Sequence, residues 1–211
     1  DSGADLLIYG MGENPIFDLC KAARKKIPLK KLRNVRGTAY LTDAAHAPAE
    51  VAAAIGGAHI DGVELLSSHE RVKTDKKLYA KAFKVQYRNT DPFSGKTLVQ
   101  KQDNAIYLVA NPPQWPLTEK QMDFVYALPY ARKPHPMYAR VPAIEEVQFS
   151  VTAHRGCYGN CAFCALTYHQ GRIVTPRSAD SIVAEVERLA ADPDFKGYIS
   201  DIGGPSANLH R

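Results

Sequence analysis

The stretch Val147-Gln-Phe-Ser-Val-Thr-Ala-His-Arg-Gly-Cys157-Tyr-Gly-Asn-Cys161-Ala-Phe-Cys164 joins an alternating segment to a cysteine-rich loop. Apolar and polar residues alternate over 147–151, which predicts a β-strand. A glycine-containing loop follows directly and holds three of the chain's four cysteines within eight residues. The sequence therefore predicts a strand that brings three thiols to one place.

The segment after this loop predicts a helix and a second strand. Ser178 is a suitable N-cap, and apolar residues recur after it at helical spacing, at Ile182, Val186 and Leu189. Residues 196–202 then predict a strand that ends at Gly203 and Gly204. Strand, loop, helix and strand form a βαβ unit, so we expect an α/β fold with parallel strands. Functional groups of such sheets lie at the carboxyl ends of the strands, where the cysteines and the glycine pair both fall.

The cysteine spacing indicates a metal or iron–sulfur site. Disulfide frameworks use even numbers of cysteines in small exported domains, which this chain does not resemble. Structural zinc takes four ligands, and His154 or His169 would have to supply the fourth. A [4Fe–4S] cluster held by three cysteines instead leaves one iron open to a substrate or cofactor. Both alternatives are compatible with the spacing.

The pattern Cys157-x3-Cys161-x2-Cys164, with Phe163 before the last cysteine, resembles the signature of radical S-adenosylmethionine enzymes. The resemblance implies that these three cysteines hold a [4Fe–4S] cluster. The fourth iron would bind the amino and carboxyl groups of S-adenosylmethionine, and the backbone of Phe163 would lie near the adenine. One electron would then cleave the cofactor to a 5'-deoxyadenosyl radical, which abstracts hydrogen from an unknown substrate.

The same resemblance assigns Gly203 and Gly204 to a turn that hydrogen-bonds the amino group of the cofactor. Pro205 stands where the superfamily has an acidic residue, so only backbone carbonyls would serve there. Longer segments resemble the YgiQ-type branch of the superfamily, namely residues 111–117, 128–138, 154–172 and 195–208. Further candidate contacts follow the loop, at His169, Gln170 and Arg172.

Three parts are expected along the chain. Residues 1–128 would be the C-terminal part of a Rossmann-like domain with connecting structure, residues 129–146 a Pro-rich linker, and residues 147–211 the start of a radical S-adenosylmethionine (β/α) barrel. A barrel of about six βα units needs on the order of 180 residues. We therefore expect only its first βαβ unit here, truncated, in a fragment of a longer protein.

The N-terminal part begins with a strand-like run over 5–9, followed by Gly10-Met-Gly12-Glu13. A helix is predicted next, with an apolar face formed by Ile16, Cys20, Ala23 and Ile27. This arrangement resembles the last βα step of the cobalamin-binding-like domain that precedes many such barrels, although the cobalamin motif Asp-x-His-x-x-Gly is not present. A dinucleotide fingerprint is incomplete because Pro15 replaces the third glycine. Cys20 is predicted to be a buried core residue.

The middle of the chain predicts connecting structure. Strands are predicted over 36–41, 60–66, 97–101 and 105–109, the last two as a hairpin. Ser68 would cap one basic helix that runs to about Tyr87, with Val72, Tyr79 and Phe83 on one side and lysines over much of the rest. Thr118 would cap a later helix.

Composition limits the partners. Charged residues at 23% and hydrophobic residues at 45% are typical of a soluble globular chain, and no apolar run approaches the roughly 20 residues of a membrane helix. Reduced cysteines favour the cytoplasm. A net charge of +5 permits contact with RNA, with a solvated helix face as the alternative for the lysines of 73–84.

The leading hypothesis is a radical S-adenosylmethionine enzyme, whose chemistry would need an electron donor such as flavodoxin or ferredoxin. The alternatives are a non-catalytic zinc or iron–sulfur module and a basic nucleic-acid-binding module.

Overall fold

The computed structural model describes residues 3–204, and its internal contacts divide the chain into two units between Pro116 and Leu117. Both units combine helices with strands, which confirms the predicted α/β class. Within the described residues, no helix has the length and apolar character needed to cross a bilayer.

The first unit is built around one sheet. Its strands are β1 (Leu7–Ile8), β2 (Thr38–Thr42), β3 (Val63–Leu66), β4 (Thr97–Lys101) and β5 (Tyr107–Ala110). Its helices are α1 (Glu13–Arg24), α2 (Ala49–Ile55), α3 (His69–Thr74) and α4 (Lys76–Arg88), with a 3₁₀ turn at Leu29–Lys31. The buried core comprises Tyr40, Val51, Val99 and Val109.

The strand order of this sheet is β1-β2-β5-β4-β3. In the described residues β3 and β4 run parallel, whereas the other three neighbouring pairs are antiparallel. The predicted hairpin is confirmed, with Val99 opposite Val109. The sheet is therefore mixed, whereas the Rossmann-like module expected for residues 1–128 would have a mostly parallel sheet. The short connection between β4 and β5 accounts for one of these antiparallel pairs, because a tight turn joins only antiparallel strands, and the long-range pairing of β2 with β5 adds another.

Helix α1 exists as predicted but buries a different face. Its buried residues are Pro15 and Ala22, whereas Cys20 is exposed, so the predicted core position of Cys20 is wrong. The Cγ atom of Pro15 lies against the turn at Gly37, 3.4 Å from where a Cβ would stand on that glycine. The buried face therefore lies roughly one residue, about 100°, around the helix from the face that the apolar pattern predicted.

The single basic helix predicted from Ser68 to Tyr87 is interrupted at Asp75. This residue has extended backbone angles, φ −117° and ψ 109°, and its carboxylate accepts hydrogen bonds from the backbone N–H groups of Lys77 and Leu78 at 2.7 and 3.2 Å. A side chain that accepts from the first turn starts a new helix there. Two helices, α3 and α4, therefore replace the predicted one.

The second unit contains the predicted βαβ segment and the cysteine loop. Its helices are α5 (Glu119–Tyr126), α6 (Pro142–Val147), α7 (Leu166–His169) and α8 (Ala179–Ala190). Its strands are β6 (Ser150–Thr152), β7 (His154–Arg155), β8 (Thr175–Pro176) and β9 (Asp201–Gly203). A capping box at Thr118 and Gln121 starts α5, which confirms the predicted cap.

The predicted parallel pairing is observed between β6 and β9, with Val151 opposite Ile202. Helix α8 connects them, and the hydroxyl of Ser178 caps it by accepting from the N–H of Ser181 at 3.1 Å. The core of this pair comprises Phe149, Val151 and Leu189, flanked by Ile182, Val186, Phe195 and Ile199. The apolar spacing used to predict α8 thus identifies the face that is buried.

Two boundaries differ from those predicted. Val147, the expected first residue of the strand, is the last residue of α6, and this helix lies largely within the segment 129–146 that was expected to be a linker. Pro142 stands in the first turn of α6, where its fixed φ favours a helix start. The second strand is also shorter than predicted, because β9 begins only at Asp201.

Candidate functional site

The three clustered cysteines line one cavity of about 160 Å³ after β7. Cys157 is buried, Cys164 is half-buried and Cys161 is exposed. The other lining residues are Asn160, Phe163, Leu166 and Thr167. The three thiols therefore share one cavity, which is open to solvent at Cys161.

Gly159 brings the first two sulfur atoms to a common space. A Cβ built on this glycine would lie 3.3 Å from the Sγ atom of Cys157 and 3.9 Å from that of Cys161. The Gly159 N–H also donates a hydrogen bond to the Sγ of Cys157 at 3.3 Å. The missing side chain leaves room between the thiols, and the N–H group would stabilise negative charge on sulfur.

The start of the loop is fixed by contacts to residues 170–173. Gly156 has φ +85°, and a Cβ there would overlap the carbonyl of Ile173. Its N–H donates to the side-chain oxygen of Gln170 at 3.1 Å, and the N–H of Cys157 donates to the Gly171 carbonyl at 3.1 Å. Only glycine suits this position, so the buried thiol of Cys157 has a defined backbone.

Phe163 is the most exposed large apolar residue of the loop, with 92% of its surface accessible. The N–H of the neighbouring Cys164 donates to the carbonyl of Cys161 at 2.9 Å, so the backbone turns tightly around Phe163. An exposed aromatic ring at the rim of a cavity is available to a bound molecule.

Gly203 and Gly204 belong to a second cavity of about 200 Å³ in the same unit. Its lining includes polar side chains from several elements, among them Tyr126, Thr152, His154, Arg155, Gln170 and Asp201. A Cβ on Gly204 would overlap the ring of His154, which is fully buried. The glycine is therefore required by close packing, a reason that the sequence did not reveal.

The two histidines considered as zinc ligands are not among the residues that line the cysteine cavity. His154 lines the second cavity, and His169 is exposed. Within residues 3–204, no group of three or more His, Cys, Asp or Glu is arranged to hold a single metal ion. In a four-iron cluster each thiolate binds its own iron, so the sulfur atoms need not converge on one point as they do around zinc.

The second unit contains a buried charge network that was not predicted from the sequence. Glu185 accepts hydrogen bonds from the guanidinium groups of Arg132 and Arg177. Arg177 is fully buried, and it also donates to the carbonyl of Thr152 at 2.8 Å. Burial lowers the pKa of Arg177, against the opposing effect of the Tyr126 hydroxyl. The spacing of four residues between Arg177, Ser181 and Glu185 is the sequence feature that could have indicated that these side chains are neighbours.

This network reaches the cysteine loop through an aromatic ring. The guanidinium of Arg177 lies 4.4 Å from the ring centre of Tyr126, and that of Arg155 lies 5.1 Å from it. Arg155 also donates to the Tyr126 hydroxyl at 3.0 Å. Because Arg155 directly precedes Gly156 and Cys157, the ring fixes the backbone from which the loop begins.

Comparisons with known proteins give a consistent family. The family model described as Radical SAM N-terminal matches residues 1–150. A UPF0313 protein of Clostridium botulinum is 51% identical over the whole chain, and one of Clostridium perfringens is 47% identical over the whole chain. The chain covers 32% and 30% of these two relatives, about a third of their length. No solved structure matches.

Proposed function

The chain belongs to the Radical SAM N-terminal family, and from this membership we propose that the protein performs radical S-adenosylmethionine chemistry. Cys157, Cys161 and Cys164 would be the ligands of a [4Fe–4S] cluster. The observation that carries the proposal is that these three thiols line one cavity that is open on one side. Three thiolates suit a cluster in which one iron stays available to a cofactor.

The residues around the thiols fit this role. Burial of Cys157 and the hydrogen bond from the Gly159 N–H to its sulfur are the kinds of contact that tune cluster potential. The contacts of Gly156 to Gln170 and Ile173 hold the loop before a cluster binds. Bound together, the cluster and S-adenosylmethionine would supply reductive cleavage of the sulfonium to a 5'-deoxyadenosyl radical.

The cavity beside Gly203 and Gly204 is the proposed site for the amino acid part of S-adenosylmethionine. Backbone carbonyls at the end of β9 would accept from its amino group, and Arg155 is among the residues that line the same cavity. Phe163, exposed at the rim of the cysteine cavity, would contact the adenine. Pro205, which replaces the acidic residue of the superfamily, lies outside the described residues.

On this proposal the β6-α8-β9 unit is the first step of a (β/α) barrel in the full-length protein. An electron donor such as flavodoxin or ferredoxin would reduce the cluster, and exposed Cys161 marks the side from which it is accessible. The four cysteines form no disulfide within the described residues, which suits a reducing cytoplasm.

Anaerobic reconstitution of the full-length protein with iron and sulfide tests the cluster. We expect about four iron atoms per chain and a brown chromophore, both lost in the Cys157→Ala, Cys161→Ala and Cys164→Ala variants. Cys20→Ala is the matched control, because Cys20 is exposed and lies in the other unit. Wild-type protein that binds one zinc ion and no iron would contradict the proposal and favour a zinc module.

Cofactor cleavage is tested separately. The reconstituted full-length protein is incubated with S-adenosylmethionine and a chemical reductant, and 5'-deoxyadenosine is measured. We expect its formation by wild type and by Cys20→Ala, and its loss in Cys161→Ala. A stable cluster without cofactor binding or cleavage would identify an electron-transfer module instead.

A further inference from the structure

Helix α4 carries the excess positive charge of the chain. It contains four lysines and one arginine and no acidic residue. The chain has 27 Lys and Arg against 22 Asp and Glu, so 22 of each remain outside this helix, and its five cations equal the net charge of +5. All five are exposed, at Lys76, Lys77, Lys81, Lys84 and Arg88.

An aromatic stripe runs along the same helix. Tyr79, Phe83 and Tyr87 are spaced four residues apart, which places them on one side of an α-helix. Tyr79 is 61% and Phe83 48% exposed, and the rings of Phe83 and Tyr87 lie 6.2 Å apart. Buried Ala82 marks the side of α4 that faces the unit interior. The stripe is therefore on the outer face, beside the lysines.

Both ends of α4 are fixed by side-chain hydrogen bonds. Asp75 caps the first turn, as described above. At the other end the Asn89 amide donates to the Val85 carbonyl at 2.8 Å, and its oxygen accepts from the Lys96 N–H at 2.8 Å. The aromatic and cationic groups therefore stand on a rigid element, which lowers the entropy cost of binding.

We propose that the outer face of α4 binds single-stranded RNA. Bases stack on exposed aromatic rings whatever their sequence, while clustered Lys and Arg attract the phosphates. A solvated helix face would account for the lysines but not for a row of exposed rings among them. The tyrosine hydroxyls and the exposed amide of Gln86 supply hydrogen-bonding groups for the 2'-hydroxyl, which distinguishes RNA from DNA.

This proposal is independent of the cluster chemistry, and its test uses the full-length protein in the Cys161→Ala background, without iron. A labelled 12-nucleotide oligouridine is the probe, and binding is followed by fluorescence anisotropy. Four phosphate contacts predict a salt slope of about −2.8, so affinity should fall about 50-fold when salt rises fourfold.

Two variants separate charge from stacking. Lys77→Gln/Lys81→Gln/Lys84→Gln should weaken binding and reduce the salt slope by about 2. Tyr79→Ala/Phe83→Ala should weaken binding at least about 30-fold with the slope unchanged, since each stacked base contributes about 1–3 kcal/mol. All five substitutions are at exposed positions, and circular dichroism checks that the helices remain.

Matched controls come from elsewhere on the surface. Lys25→Gln/Lys30→Gln/Lys31→Gln removes the same charge, and Tyr130→Ala/Tyr138→Ala removes two exposed rings. Neither should change binding by more than about twofold. Absence of binding at low salt, equal loss in the controls, or full affinity in Tyr79→Ala/Phe83→Ala would overturn the proposal. Equal or tighter binding of oligothymidine of the same length would overturn the assignment to RNA.

Discussion

The buried carboxylate of Glu185 offers a direct test of what stabilises the second unit. Its side chain is 3% exposed and forms ion pairs with Arg177, which is fully buried, and with Arg132, which is 25% exposed. The Glu185→Gln variant keeps the shape and one acceptor oxygen but removes the negative charge. Arg177 would then be buried without its carboxylate partner, and its guanidinium does not lose its proton in the accessible pH range.

The expected destabilisation follows from this geometry. Removing one partner of a buried ion pair costs about 3–5 kcal/mol, and the retained amide oxygen places Glu185→Gln near the lower end. With a urea dependence of about 2 kcal/mol per M, a loss of about 3 kcal/mol lowers the unfolding midpoint by about 1.5 M. Hydrogen exchange of the backbone amides of α8 and β6 locates the loss in this unit.

Glu145→Gln is the matched control. Glu145 accepts from Arg140 at 2.7 and 2.9 Å, but both side chains are exposed, so the same chemical change should leave the unfolding midpoint where it is. If Glu185→Gln loses less than about 1 kcal/mol, or no more than Glu145→Gln, the buried carboxylate is not the stabilising partner of Arg177 and the reasoning is refuted.

Two further predictions concern single residues, Gly204 and Tyr40. Gly204→Ala should destabilise the second unit by at least about 2 kcal/mol, because its Cβ would overlap the buried His154 ring. Gly203→Ala is the control, because the space around Gly203 is open and a Cβ there meets no neighbouring atom. Equal unfolding midpoints of the two variants would contradict this prediction. Burial raises the pKa of Tyr40 to about 12, so the folded chain keeps a proton that the unfolded chain loses. The contribution of Tyr40 to the unfolding free energy should therefore fall by roughly 2–3 kcal/mol as pH rises from about 10 to 12. Tyr40→Phe should remove this part, leaving the similar contribution of Tyr9, and an unchanged pH profile of urea unfolding would contradict it.

The sequence identified the βαβ unit because its signals are local. Apolar residues at helical spacing in 182–189 indicate the buried face of α8. Ser178 and Thr118 cap their helices through hydrogen bonds to backbone N–H groups only three residues away. The short spacing between the three cysteines likewise keeps their thiols close together in one loop. Such features depend on residues within one turn or one loop, so they need no knowledge of the rest of the fold.

The predictions that were wrong concern features that depend on contacts between residues far apart in the sequence. The apolar pattern of α1 predicted a buried Cys20, but the contact of Pro15 with the turn at Gly37 turns another face inward. The pairing of β2 with β5, more than 60 residues apart, makes the first sheet mixed rather than parallel. The partners of Arg177 come from three segments of the chain, so the residues next to it in the sequence do not predict that it is buried.

The basic residues have different roles because some are buried and others are exposed. The guanidinium of Arg177 has no accessible surface, and moving it would remove one of the two guanidinium donors of Glu185 and the donor to the Thr152 carbonyl, so its role is structural. The lysines of α4 are exposed and hydrated, and redirecting them toward a phosphate breaks no buried contact. Added salt screens exposed charges and hardly affects buried pairs. Added salt should therefore weaken RNA binding by α4 and leave the loss of stability in Glu185→Gln unchanged. The salt dependence of the two measurements thus distinguishes exposed cations that bind a ligand from buried cations that stabilise the fold.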